Sequence, residues 1–178
     1  MEKSCEIRLV GSGGQGLILC AVILAKAALK NGVYVAQSQS YGAAARGGAC
    51  RAEVVFSETP IDFPKVEQSD FLLALNQASL DQYISSAKPG SFVMYDDSLK
   101  WPENDNGCKP CALPFIETAR TDIGRVMCAN IVALGAINAY LKLAPEDALE
   151  EIVKISVPKG TAELNLKALH AGIALVSK

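Results

Sequence analysis

Residues 7–16 read Ile-Arg-Leu-Val-Gly-Ser-Gly-Gly-Gln-Gly, a short strand that runs directly into four glycines. An uncharged apolar stretch, Leu17 to Ala25, follows without a break. Strand, tight turn and helix start in that order confine the chain to an α/β unit. Gly11, Gly13 and Gly16 fill the glycine places of G-x-G-x-x-G, with Gly14 and Gln15 inside the loop. Glycine admits positive φ and lets an anion approach the backbone closely. The free N–H groups of a helix start attract that anion. Two readings of the loop stand: a phosphate cradle, or glycines that only let strand and helix pack closely. A nicotinamide site needs a carboxylate about twenty residues further on, at the end of the second strand. That stretch is Val33-Tyr34-Val35-Ala36-Gln37-Ser38, without Asp or Glu, and no arginine follows it until Arg46. The Rossmann-like loop survives this test and the NAD assignment does not.

Strands alternate with helices along the rest of the chain. The expected strands are Glu6–Val10, Val33–Ala36, Cys50–Phe56, Phe71–Leu75, Ser91–Tyr95 and Leu113–Ile116. Cys50–Phe56 alternates and reads as half-exposed, whereas Phe71–Leu75 is continuously apolar and reads as buried on both faces. The expected helices are Gly14–Asn31 (closed by Gly32), Gln77–Ser86, Thr118–Lys142, one opening at Pro145, and a last one with Leu166, Leu169, Ile173 and Val176 on a single stripe. Gln37–Gly48 and Asp96–Cys111 read as loops. The pattern predicts a Rossmann-like α/β fold, a mostly parallel sheet with helices on both faces. At 178 residues it suits a single domain, residues 1–178.

A net charge of −2 lacks the basic footprint of a nucleic-acid binder. The start of the chain shows no signal-peptide pattern. The uncharged run Val126–Leu141 is too short for a membrane span and contains Asn130, Gly135 and Asn138. A cytoplasmic protein with six reduced cysteines is therefore expected. A helix apolar around most of its circumference is buried in a core or in a partner.

A second motif, Ser38-Gln39-Ser40-Tyr41-Gly42-Ala43-Ala44-Ala45-Arg46-Gly47-Gly48, follows the second strand and so is expected at the sheet edge of the glycine loop. Open α/β sheets bind ligands at that edge. Arg46 beside Gly47 suits a phosphate or carboxylate; a salt bridge in an exposed loop is the competing reading. Together, G-S-G-G-Q-G and S-Y-G-A-A-A-R-G-G-A are far more specific than either alone. They resemble the gamma subunit of 2-oxoacid:ferredoxin oxidoreductases, the pyruvate/ketoisovalerate oxidoreductase gamma-domain family. Glu53, Phe71–Leu75, Asn130-Ile131-Val132-Ala133-Leu134-Gly135 and Asn165-Leu166-Lys167-Ala168-Leu169 are similar to that family's pattern. The S-Y-G-A-A-A-R-G-G form looks closest to the 2-oxoglutarate and branched-chain 2-oxoacid members.

The resemblance implies one subunit of an enzyme of anaerobic metabolism that decarboxylates a 2-oxoacid, forms acyl-CoA and reduces ferredoxin. Thiamine diphosphate and iron–sulfur clusters then belong to alpha, beta and delta-type partner subunits, and coenzyme A is the cofactor the resemblance brings near this chain. Gly11, Gly13, Gly14, Gln15, Gly16, Tyr41, Arg46 and Gly47 are the expected binding residues, facing either coenzyme A or the other subunits. No catalytic and no metal-ligating residue is expected. Cys108 and Cys111 form a lone C-x-x-C, short of the four cysteines a cluster needs; an incidental surface loop or a redox pair are its readings. His170 is the only histidine and lies off the apolar stripe, so an exposed position is expected. Asp96-Asp97 reads as a cap or turn, and Lys159 as a surface turn. Away from its partners the chain is expected to expose apolar surface and to self-associate. The alternatives are an independent nucleotide-binding module and an indolepyruvate oxidoreductase subunit.

Overall fold

A computed structural model describes residues 4–41 and 49–177. The strands are β1 (Ser4–Ser12), β2 (Tyr34–Tyr41), β3 (Ala49–Ser57), β4 (Ser69–Ala74), β5 (Ala87–Asp96) and β6 (Lys109–Leu113). The helices are α1 (Leu17–Leu29), α2 (Gln77–Tyr83), α3 (Phe115–Thr121), α4 (Ala129–Leu141), α5 (Glu146–Ser156) and α6 (Ala162–Val176). The strands form one sheet in the order β2-β3-β1-β4-β5-β6. β1, β4, β5 and β6 are mutually parallel, while β3 runs antiparallel to both neighbours. The expected mostly parallel α/β fold is observed, with a reversed strand inside it.

The two faces are covered unequally. Ile7, Leu9, Val54, Phe56, Phe71 and Leu73 point to one face and share a core with α1, α3, α4, α5 and α6. Val10, Leu72, Ala74 and Val93 point to the other, where Leu80 of α2 and Ile84 complete a smaller cluster. Continuous apolarity in β4 follows from burial on both faces.

Several expected boundaries move. The second strand runs on through Gln37–Tyr41, which read as loop, because β3 pairs with it from Tyr34↔Ser57 to Tyr41↔Cys50. As an edge strand it keeps polar residues that alternation analysis discards. β3 is buried rather than half-exposed, because it lies between β1 and β2. The last strand is Lys109–Leu113, which begins inside the expected Asp96–Cys111 loop and shares only Leu113 with the expected strand; Phe115 and Ile116 already belong to α3. The expected Thr118–Lys142 helix is broken: Gly124 takes φ +78° and Arg125 is extended, so α4 begins only at Ala129. The buried side of α6 is Asn165, Ala168, Leu169 and Gly172. Of the expected stripe only Leu169 is fully buried; Leu166, Ile173 and Val176 pack at its margin.

Candidate functional site

The glycine loop lies where β1 ends and α1 begins. Gly14 and Gly16 hold φ of +95° and +73°, the left-handed region that favours glycine. A Cβ on Gly16 would lie 2.2 Å from Asn130 Nδ2. Gln15 turns inward. Its Oε1 accepts from Ser12 N at 2.6 Å and its Nε2 donates to the Leu75 carbonyl at 3.1 Å, pinning the loop to the chain that leaves β4. The side-chain amide is thus engaged within the fold rather than turned outward. Gln15→Glu keeps the shape but faces a carboxylate with the Leu75 carbonyl. It is expected to lower stability by about 1–3 kcal/mol, measured by urea unfolding.

Ser12 pairs with Ala49, Gly11 with Cys50, and Cys50 with Tyr41. The backbone on either side of residues 42–48 therefore starts and ends in the row that carries the glycine loop. Arg46 and Gly47 lie outside the described residues, and Tyr41 is placed by its backbone pairing alone. β3 also separates β2 from β1. The strand whose end would carry a dinucleotide's ribose carboxylate is not adjacent to the glycine strand, which agrees with the missing acidic residue.

Beside the loop is a cleft of about 240 Å³ that brings together three helix starts: Gly16 before α1, Cys128 before α4 and Thr161 before α6. None of the three has a side-chain cap hydrogen bond. Arg125 lines the same cleft, as do Asn130 and Asn165. Asn130 Nδ2 donates to the Gly16 carbonyl at 3.3 Å, and Asn165 Nδ2 donates to the Thr161 carbonyl at 2.8 Å. Positive helix ends and a guanidinium favour an anion. Sequence reasoning missed Arg125 and Thr161. Asn130 and Asn165 stood out only through the family pattern, and the fold brings them to one cleft.

Groups suited to covalent chemistry are held back. Cys20 is fully buried, its thiol pushed up to about 12 by burial, and it donates to the Asn130 carbonyl. Burial raises Cys128 as well, against the lowering pull of Arg125. Cys108 packs in the smaller cluster and Cys111 against the larger one, so the two thiols of C-x-x-C face opposite sides of the sheet. That excludes a redox pair, and Cys108 is buried rather than part of a surface loop. Asp96 is buried; its Oδ1 accepts from Ser98 N and its Oδ2 from Ile116 N, the cap-and-turn role expected of it. Lys159 is exposed in a turn, and the His170 side chain is 50% exposed. Among the described residues no helix is long and apolar enough to cross a membrane.

A family model described as pyruvate ferredoxin/flavodoxin oxidoreductase matches residues 6–175. The 2-oxoglutarate synthase subunit KorC of Methanocaldococcus jannaschii is 44% identical over 172 residues, covering 94% of this chain and 91% of the relative. Indolepyruvate oxidoreductase subunit IorB of Thermococcus kodakarensis is 27% identical, with 96% and 95% covered. The crystal structure of a keto/oxoacid ferredoxin oxidoreductase gamma subunit from Geobacter sulfurreducens superposes with a TM-score of 0.86 at 42% identity, covering 98% of this chain and 97% of that one. The 2-oxoglutarate:ferredoxin oxidoreductase of Magnetococcus marinus, with 2-oxoglutarate, coenzyme A and succinyl-CoA bound, superposes with a TM-score of 0.90 at 25% identity. There 99% of this chain matches 32% of the longer one.

Proposed function

Because the chain belongs to the pyruvate ferredoxin/flavodoxin oxidoreductase family, we propose that it is the gamma subunit of a 2-oxoglutarate:ferredoxin oxidoreductase. The observation that carries this reading is near-full-length identity of 44% to a 2-oxoglutarate synthase subunit. The indolepyruvate branch is favoured less, at 27%. The enzyme converts 2-oxoglutarate and coenzyme A to succinyl-CoA and carbon dioxide with reduction of ferredoxin. This chain is not catalytic alone; four of its six cysteines are buried, and its one histidine is turned to a glutamate outside the cleft. Thiamine diphosphate and iron–sulfur clusters are assigned to alpha, beta and delta-type partners in the cytoplasm.

Within that assembly the chain's part is to hold an anion at the C-terminal edge of its sheet. Backbone N–H groups of Gly13, Gly14 and Gly16, with Arg46, Gly47 and the Arg125 cleft, take the phosphates of coenzyme A; Gly11 and Gln15 set the loop, and Tyr41 leads into the second motif. Support comes from the shared edge of the two motifs and from three helix starts around one cleft. The residues fit phosphate, being cationic or N–H donors. Coenzyme A supplies the thiol that accepts the acyl group; this chain orients it.

Anaerobic purification of the native complex tests assembly: thiamine- and cluster-bearing subunits are expected to accompany the chain, and recovery of the chain alone with a bound nucleotide sinks the proposal. Arg46→Ala tests the ligand role. Losing a charge-assisted hydrogen bond of about 1.5–3 kcal/mol raises the KM for coenzyme A roughly tenfold or more in an intact complex. Loss of assembly instead makes the second motif an interface.

A further inference from the structure

His170 takes no part in the cleft. It projects from α6 toward α5, where its Nε2 is 2.8 Å from Glu150 Oε1 and 3.9 Å from Glu146 Oε1. Glu146 and Glu150 are one turn apart on α5 and share a face. One ligand atom from each of the three residues lies within 4.8 Å of the other two. The helices beneath are fixed by buried Leu149, Val153, Ala168 and Leu169, so the three side chains stand on rigid supports.

Metal geometry decides what this cluster fits. A tetrahedral ion with bonds of about 2.0–2.1 Å sets its ligands roughly 3.3 Å apart. The observed separations of 2.8 and 3.9 Å straddle that value, so small rotations of the exposed Glu146 and the half-buried Glu150 suffice. Imidazole with carboxylates suits zinc and its first-row neighbours, whereas magnesium and calcium prefer oxygen alone. Lys154 Nζ, 3.6 Å from Glu150 Oε2, is the neighbouring competitor for that carboxylate.

We infer that Glu146, Glu150 and His170 form a surface site for a divalent transition-metal ion of the zinc class, which staples α5 to α6. Binding exchanges the His170–Glu150 hydrogen bond for bonds from Nε2 and both carboxylates to the ion; the proton that Nε2 donated to the carboxylate moves to Nδ1 in a neutral ring, or leaves to water from a charged one, so that Nδ1 alone is protonated in the bound state. Water completes the coordination.

The test is a Co2+ titration of the chelator-treated full-length chain, read by visible d–d absorption and by thermal unfolding. The expected result is one Co2+ per chain, without a thiolate charge-transfer band, and a raised Tm. His170→Gln and Glu150→Gln are each expected to weaken binding about tenfold or more, while Cys111→Ser leaves it unchanged. The variants alter an exposed histidine and a half-buried glutamate at the surface, and an unchanged metal-free Tm shows that they fold. Equal affinity in His170→Gln, a thiolate band, or no saturable binding by the unaltered chain overturns the assignment.

Discussion

Glu53→Ala is expected to cost the chain about 3–5 kcal/mol of stability, because it leaves a buried guanidinium without its counter-ion. Arg8 and Glu53 are 2% and 4% exposed, in the middle of neighbouring strands. Arg8 Nε donates to Glu53 Oε1 at 2.7 Å, Nη1 to Ser86 Oγ at 2.6 Å and Nη2 to the Val66 carbonyl at 2.5 Å. Arg51 Nε is 3.5 Å from the same carboxylate oxygen, and Ser38 Oγ donates to the other at 3.3 Å. Both guanidinium carbons are 5.8 Å from the centre of the Tyr83 ring. One carboxylate therefore faces two cations, the buried Arg8 and the partly exposed Arg51. A domain of this size has about 5–15 kcal/mol in total, so the loss removes a large fraction. Urea unfolding of the isolated chain measures it. Glu53→Gln keeps one acceptor and is expected to lose less. The double variant Arg8→Met/Glu53→Leu is expected to be more stable than Glu53→Ala, because it removes the buried charge together with its partner. A loss below about 1 kcal/mol in Glu53→Ala would show that solvent reaches the pair.

The same ion pair marks where sequence reading stops. Glycines between an apolar strand and an apolar helix are a local signal from which β1 and α1 follow, as the doubly buried β4 follows from its continuous apolar run. Alternation in Cys50–Phe56 tells which residues share a face, but not that β1 and β2 lie on either side of that strand. The partnership of Arg8 with Glu53, 45 residues apart, is a consequence of that pairing. The continuous apolar run Val126–Leu141 likewise concealed a break. Val126 and Met127 are 47% and 74% exposed, and burial begins with Cys128. A hydrophobic period cannot register a turn that leaves two apolar residues at the rim of a cleft. The cleft itself joins positions near 16, 130 and 161, a grouping that no local pattern contains.

The displaced stripe of α6 has the same origin, and it yields the other large effect. Gly172→Ala is expected to destabilise the chain by about 3 kcal/mol or more, against the sign of helix propensity. In an open helix position, alanine is better than glycine by about 1 kcal/mol. Here the added Cβ would lie 1.8 Å from the Val132 carbonyl oxygen and 2.7 Å from its carbon, both backbone atoms of α4. Gly135 is the reciprocal contact: a Cβ there would lie 2.1 Å from the Leu169 carbonyl oxygen of α6. Backbone meets backbone, so no side chain can rotate away and one helix must move. That explains why the buried edge of α6 runs through Ala168 and Gly172, with the larger Leu166 and Ile173 at its margins. Moving α6 also separates Asn165 from Asn130 across the cleft. The folded fraction of a reconstituted Gly172→Ala complex is therefore expected to show a raised KM for coenzyme A as well. Ala174→Gly, on the exposed side of the same helix, is the control, with a loss of about 1 kcal/mol and no change in KM. If Gly172→Ala unfolds at the same or higher urea concentration than the unaltered chain, the two helices are not in backbone contact at this crossing.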